Sequence, residues 1–411
     1  MYRPRLPGVD VTAGGRLDYL GTMFSSRVPP DLTPNRLARA LARLGAGGVM
    51  VADLTGTNPT QVGLPYPAGL LAPLSAPDAL EYDPHPFGLR AARQAVSGEF
   101  QRQGVGVGPD RVVLTASTSE AYSLLFKLLC DPGDEVLVPQ PSYPLFDHLT
   151  RLDAVTARPY RLEFHGAWAI DAASVRRALT PRTRAILVVS PNNPTGSFAT
   201  AGELVECSAI CAEHALALVG DEVFADYVMQ GDHAHPASVL GRPEALTFGL
   251  GGLSKSAGLP QLKLGWIGVG GPDRLVADAL ARLEVIADAY LSVSTPVQIA
   301  AGALIRAGGG IRAGILERVR LNHRQLEVLV AAYPSCTLLP VEGGWSAVIQ
   351  VPATRTEEAL VLDMLEQDHV LVHPGYFFDF PREAFIVVSL LPPPGMFRDA
   401  VTRVLDRAAT D

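Results

Sequence analysis

The stretch G-G-L-S-K-S-A-G-L-P-Q-L-K-L-G, residues 251–265, leaves almost no side-chain bulk around one lysine, Lys255. Glycine lets backbone approach a ligand closely, and Ser254 sets a hydroxyl donor beside the lysine. An ammonium among small and apolar neighbours gives up its proton more easily, and the free amine attacks carbonyl carbon. The stretch therefore reads as a candidate Schiff-base site, with a second cation, Lys263, close behind it. The plain alternative is a surface turn carrying a solvated lysine.

Working outward, strand and helix patterns alternate along the chain. R-V-V-L-T (111–115) is a short apolar strand, and the following residues put Ala121, Leu124, Leu125, Leu128 and Leu129 on one helical face. Ser117, Thr118 and Ser119 would open that helix, where free N–H groups attract anions; a simple helix cap is the competing reading. Apolar strands recur at 184–190, 216–221 and 245–250, with a helix around Glu203–His214 between the first two. Strands that are continuously apolar, not alternating, argue an α/β fold: a mostly parallel sheet flanked by helices on both faces. Ligands in such sheets gather at the C-terminal strand ends, so Ser117–Ser119, Pro139–Tyr143, Pro191–Gly196, Asp221 and Ser254–Lys255 are expected in one crevice.

A helix is expected over 34–44, another over 89–100, and a long helical region over 299–332. The tail from residue 337 alternates strand and helix patterns, which suggests a smaller α+β domain. The expected division is residues 1–54 (an arm and part of the small domain), 55–305 (the large domain) and 306–411 (the rest of the small domain).

Composition narrows the class further. At 411 residues, 48% hydrophobic and 18% charged, the chain suits a globular enzyme. Its net charge of −8 argues against nucleic acid or acidic membrane as a partner. Cys207 and Cys211 sit four apart in a helical pattern without zinc spacing, so buried free thiols are expected. Arg3, Pro4, Arg5 and Pro7 interrupt any apolar leader, and a cytoplasmic protein is the expectation. His233 and His235 lie on a Gly/Pro-bounded loop with no third ligand in sequence, so no metal is assigned.

S-P-N-N-P-T-G (190–196), D-E-V-F-A-D-Y (221–227) and the 251–265 stretch resemble the class I/II aminotransferases, pyridoxal-phosphate enzymes of fold type I. T-A-S-T-S-E-A, D-P-G-D-E-V and P-S-Y-P are similar to the same family, in its order and spacing. Several motifs in register are far more specific than one. The resemblance implies pyridoxal 5'-phosphate joined to Lys255 as a Schiff base, with Asp221 facing the pyridine nitrogen and making the ring an electron sink. It implies Asn193 on the cofactor's 3′ oxygen, Tyr143 stacked on the ring, and Ser117, Thr118, Ser119, Ser254 and Lys263 around the phosphate. Tyr82 matches a tyrosine that reaches the phosphate of the neighbouring subunit, which implies a homodimer with shared active sites. Thr57, Asn58 and Trp345 match positions near an amine or amino-acid substrate and its keto-acid product.

Three departures stand out. Phe224 occupies the place of a tyrosine that donates to the 3′ oxygen, and this predicts a raised Schiff-base pKa. Lys263 replaces the phosphate-binding arginine, keeping charge but losing the planar grip. Val387, in F-I-V-V-S, replaces the arginine that clamps the substrate carboxylate. The expected activity is transamination with an unusual donor or carboxylate anchor, for which Arg382, Arg27 and Asn58 are candidates. A lyase, racemase or decarboxylase on the same cofactor, or a non-catalytic protein retaining it, are the alternatives.

Overall fold

A computed structural model of the chain describes residues 23–229 and 237–410. Most of the expected N-terminal arm, along with His233 and His235, lies outside the described residues. The central sheet has eight strands, in spatial order Val112–Thr115, Gly265–Gly270, Leu246–Gly252, Ala217–Asp221, Thr183–Val189, Glu135–Gln140, Thr156–Phe164 and Trp168–Ile170. The middle of the sheet is parallel, and antiparallel pairs close both ends. The sheet is thus mostly parallel, as its unbroken apolar strands require.

Alternate residues on each strand feed two separate cores. Val136, Leu187, Val219, Phe248 and Ile267 pack on one face, and Leu137, Ile186, Val188 and Leu218 on the other. Helix Thr118–Leu129 covers the first face with Ala121, Leu124 and Leu125, and helix Ala201–His214 covers the second with Leu204, Cys207, Ile210 and Cys211. At about 25 cal/mol per Å² of apolar surface, burial on both faces is the dominant stabilising term. Cys130, Cys207, Cys211 and Cys336 are all free thiols.

A second sheet, antiparallel, takes the order Thr337–Leu338, Ser346–Gln350, Phe385–Ser389 and His373–Pro374. Ala52–Asp53 pairs in parallel with Val370–Leu371, and the Ser389 amide donates to the Leu54 carbonyl. Residues 52–54 are thereby tied to the C-terminal part of the chain. Helix Arg36–Ala46 joins the same layer through Leu37 and through ion pairs from Arg36 to Glu358 and from Arg43 to Glu366.

A 37-residue helix, Thr295–Ala331, connects the two layers, and residue 305 falls within it. Among the described residues it alone is long and apolar enough to cross a membrane by length and composition. Three of its arginines are occupied by protein, however. Arg312 pairs with Glu99, Arg318 donates to the Val62 and Leu391 carbonyls, and Arg320 donates to the Val228 carbonyl. Gly308 sits where a Cβ would lie 2.4 Å from that of Ala257, so the helix can press against the lysine-bearing segment only with glycine there.

Candidate active site

Strand register brings the motifs together. Thr115 pairs with Gly265, Gly265 with Gly252, and Leu250 with Asp221. Ser117–Ser119, Ser254 and Lys263 therefore lie within two to four residues of three adjacent strand positions. A Cβ on Gly265 would stand 2.9 Å from the Ser117 carbonyl carbon and 3.1 Å from the Thr118 amide. The missing side chain is what lets this strand close against the helix opening.

Ser117 caps that helix, accepting from the Glu120 amide at 3.1 Å, so the plain reading holds for its own hydroxyl. The hydroxyls of Thr118, Ser119 and Ser254 have no hydrogen-bond partner among the described residues, and all three side chains are half-buried. Lys263 is exposed, with a left-handed backbone (φ 51°). Three unengaged hydroxyls, a helix N-terminus and a lysine make a donor set suited to a phosphate.

Lys255 follows on a short helix, Leu253–Ser256. Its Nζ lies 4.7 Å from the centre of the Trp345 ring and 5.3 Å from that of Phe224. Tyr227 completes an edge-to-face aromatic cluster with those two rings and donates its hydroxyl hydrogen to the Lys255 carbonyl at 2.5 Å. Desolvation by these walls pushes the Lys255 amine down to about 8, against the opposing pull of Asp221.

Asp221 ends its strand in a buried position. Burial raises its pKa, opposed by a hydrogen bond from Tyr122 Oη (3.0 Å to Oδ2), the Val223 amide (3.3 Å to Oδ1) and the nearby Lys255. Oδ1 thus has one long contact, and a buried carboxylate so thinly paired is suited to a cationic donor such as a pyridinium N–H. The residues present fit pyridoxal phosphate at both ends, ring nitrogen and phosphate.

The remaining sequence candidates fall around this centre. Asn193 accepts from Ser346 Oγ at 3.4 Å, which joins the large sheet to the small one. Tyr143 is 41% exposed, packs edge-on to Phe146, and has a raised pKa from burial and from Asp221. Trp345 is buried, and its Nε1 has no partner among the described residues. Thr57 is exposed, and Asn58 spends its Oδ1 on Thr60. Tyr82 is 73% exposed and belongs to none of these clusters within a single chain.

The proposed substitutes for the carboxylate arginine fare differently. Arg382 is exposed over the Phe385 ring, and Arg27 is exposed and donates to the Leu152 carbonyl. Sequence reasoning missed three residues: Tyr122 on Asp221, Tyr227 beneath Lys255, and His373 beside Val387. Tyr122 carried a signal, since a phenol on the apolar face of a helix needs a partner for its hydroxyl.

The structure thus brings a lysine amine and a buried carboxylate to the ends of neighbouring parallel strands, beside a set of unengaged hydroxyl donors. The aminotransferase class I and II family model matches residues 75–404, and the chain belongs to that family. It is a pyridoxal-phosphate-dependent transaminase. A glutamate-pyruvate aminotransferase of Escherichia coli is 28% identical over 358 residues, covering 85% of this chain and 88% of the relative. An alanine aminotransferase of Mycobacterium tuberculosis is 28% identical over 372 residues, covering 85% and 84%. Among solved structures, an alanine aminotransferase of Pyrococcus furiosus superposes with a TM-score of 0.82 at 25% identity, covering 91% of this chain and 95% of that one.

Proposed function

We propose that transamination here runs through Lys255 as the amine that joins the cofactor's aldehyde, with Asp221 holding the ring nitrogen. The observation that carries this reading is the amine itself: pushed down to about 8, flanked by the Phe224 and Trp345 rings, and electrostatically coupled to Asp221. When bound, pyridoxal phosphate supplies an electron-withdrawing ring that weakens bonds at the substrate's α-carbon. Lys255 Nζ then takes and returns the proton at that carbon, a task for which a pKa near working pH is suited.

Thr118, Ser119, Ser254 and Lys263, at the helix end capped by Ser117, would hold the phosphate. Asn193 would donate to the 3′ oxygen and Tyr143 would lie on the ring. Trp345, Thr57 and Asn58 would border the substrate, with Tyr82 of the partner subunit completing the site in a homodimer. The relatives named for alanine and for glutamate–pyruvate favour small amino and keto acids, but Val387 withholds the charge such substrates need. The donor is therefore one whose binding does not depend on an arginine at 387.

The test is borohydride reduction of the loaded protein followed by peptide mapping, with an absorbance scan against a panel of amines and amino acids. Cofactor mass on the Lys255 peptide, and conversion to the pyridoxamine form by at least one donor, are the expected results. Label on another lysine, or no conversion by any donor, overturns the reading.

A further inference from the structure

Val387 stands directly opposite Val348 on one neighbouring strand and His373 on the other. Residues paired directly across an antiparallel sheet project to the same face, as do residues two apart on one strand. Val387, His373, Val348, Ser346 and Ser389 therefore share a face. That face looks onto the site, because Ser346 Oγ bonds Asn193 and Ser389 Oγ donates to the Gly56 carbonyl at 2.6 Å on the loop carrying Thr57 and Asn58.

The His373 ring is half-buried against Phe377 (5.8 Å) and Phe378 (5.6 Å), and the Phe378 carbonyl accepts from the Ser142 amide next to Tyr143. Its Nδ1 is shielded from solvent, and neither ring nitrogen has a hydrogen-bond partner among the described residues. Burial pushes the ring's pKa down to about 4, against the opposing pull of Asp53, so it is neutral at pH 7. Buried polar groups are nearly always paired, and an orphaned one on a site-facing surface marks a contact that a ligand completes.

We propose that His373 is a specificity-determining residue of this transaminase. It recognises an uncharged hydroxyl or carboxamide on the amino donor, in the space where the family's arginine would clamp a carboxylate. A neutral imidazole offers one donor and one acceptor, which matches both groups. A carboxylate only accepts, finds no cation beside it at Val387 or Val348, and would be repelled by Asp53. The inference rests on Lys255 being the reacting amine, and two independent readouts keep the questions apart.

The first readout is half-reaction kinetics with alaninol, alaninamide, alanine and 2-aminopropane, which share a skeleton and differ only in the head group. Alaninol and alaninamide are expected to exceed alanine in kcat/KM. His373→Phe should lower those two about fivefold to tenfold, the worth of one neutral hydrogen bond, through KM. It should leave 2-aminopropane unchanged, and His373→Gln should restore the preference. The second readout is calorimetric binding of lactamide and lactate to the protein, which needs no reaction at Lys255. Lactamide should bind more tightly, and His373→Phe should erase the difference. Alanine outperforming both neutral donors, or His373→Phe slowing all four donors equally, overturns the proposal. If Lys255→Ala abolishes turnover while the lactamide preference persists, both readings stand; loss of labelling at Lys255 with the preference intact sinks only the first.

Discussion

Replacing Tyr122 with phenylalanine removes one hydroxyl and nothing else. Its Oη lies 3.0 Å from Asp221 Oδ2, both residues are buried, and the ring packs edge-on against Phe146 at 5.4 Å, so the phenyl ring keeps its place. A hydrogen bond to a charged group contributes about 1.5–3 kcal/mol. The ionised carboxylate loses that support, while burial, which already raises its pKa, is unopposed on that side. The sign follows from linkage. A carboxyl whose folded pKa is raised gives a contribution that is complete below its unfolded pKa and is lost as pH rises through the folded one. Tyr122→Phe should therefore cost the cofactor-free protein more stability at pH 8 than at pH 4 in urea unfolding. On the proposed pairing of Asp221 with the ring nitrogen, affinity for pyridoxal phosphate at pH 7 should fall about tenfold to a hundredfold, the same energy read as binding. Equilibrium dialysis measures it. Unchanged affinity with an unchanged stability–pH profile would show that Asp221 does not depend on Tyr122.

Three other perturbations are informative. Reaction of the cofactor-free protein with a carbonyl reagent should rise through pH about 8 at Lys255, whereas surface lysines respond nearer 10.5; peptide mapping after reduction gives the profile. Gly265→Ala forces a Cβ to within 2.9 Å of the Ser117 carbonyl carbon, so it should cost about 1–3 kcal/mol in urea unfolding and weaken phosphate binding. Lys263→Arg adds a planar two-pronged donor at an exposed position, and should improve affinity for pyridoxal phosphate but not for unphosphorylated pyridoxal.

The fold was legible where strands are continuously apolar, and the sheet's parallel core is built from those segments. Three strands were not, the short edge strand Trp168–Ile170 among them. Thr156–Phe164 carries Arg158, Pro159 and Arg161 because it lies near the sheet's edge, where one side need not be apolar. Gly265–Gly270 holds three glycines, which lower strand propensity, yet its neighbours demand them: Gly268 would drive a Cβ to 2.8 Å from the Phe100 ring. The long helix likewise starts at Thr295, four residues before its expected start, with Pro296 in its first turn. For the site, residues whose role is set by a motif were readable. Tyr122 and His373 were not, because their importance comes from partners 99 and 14 residues away, brought close by the sheets.

The three departures from the family pattern act on different parts of the reaction. The Lys255 amine and the Asp221 carboxylate, proposed to serve the cofactor, are present, and Tyr122 and the aromatic cluster add support around them. On the proposed reading, what differs is the grip on charge beyond the ring. An arginine at 387 would be buried on the face shared with Val348 and His373, and its desolvation would cost several kcal/mol whenever no carboxylate was bound. Valine avoids that cost, but it also withholds the attraction that would select a carboxylate. Selection must then come from shape and from neutral hydrogen bonds, which discriminate strongly only when their absence leaves a buried partner unpaired. On that face among the described residues, the unpaired imidazole of His373 meets this condition.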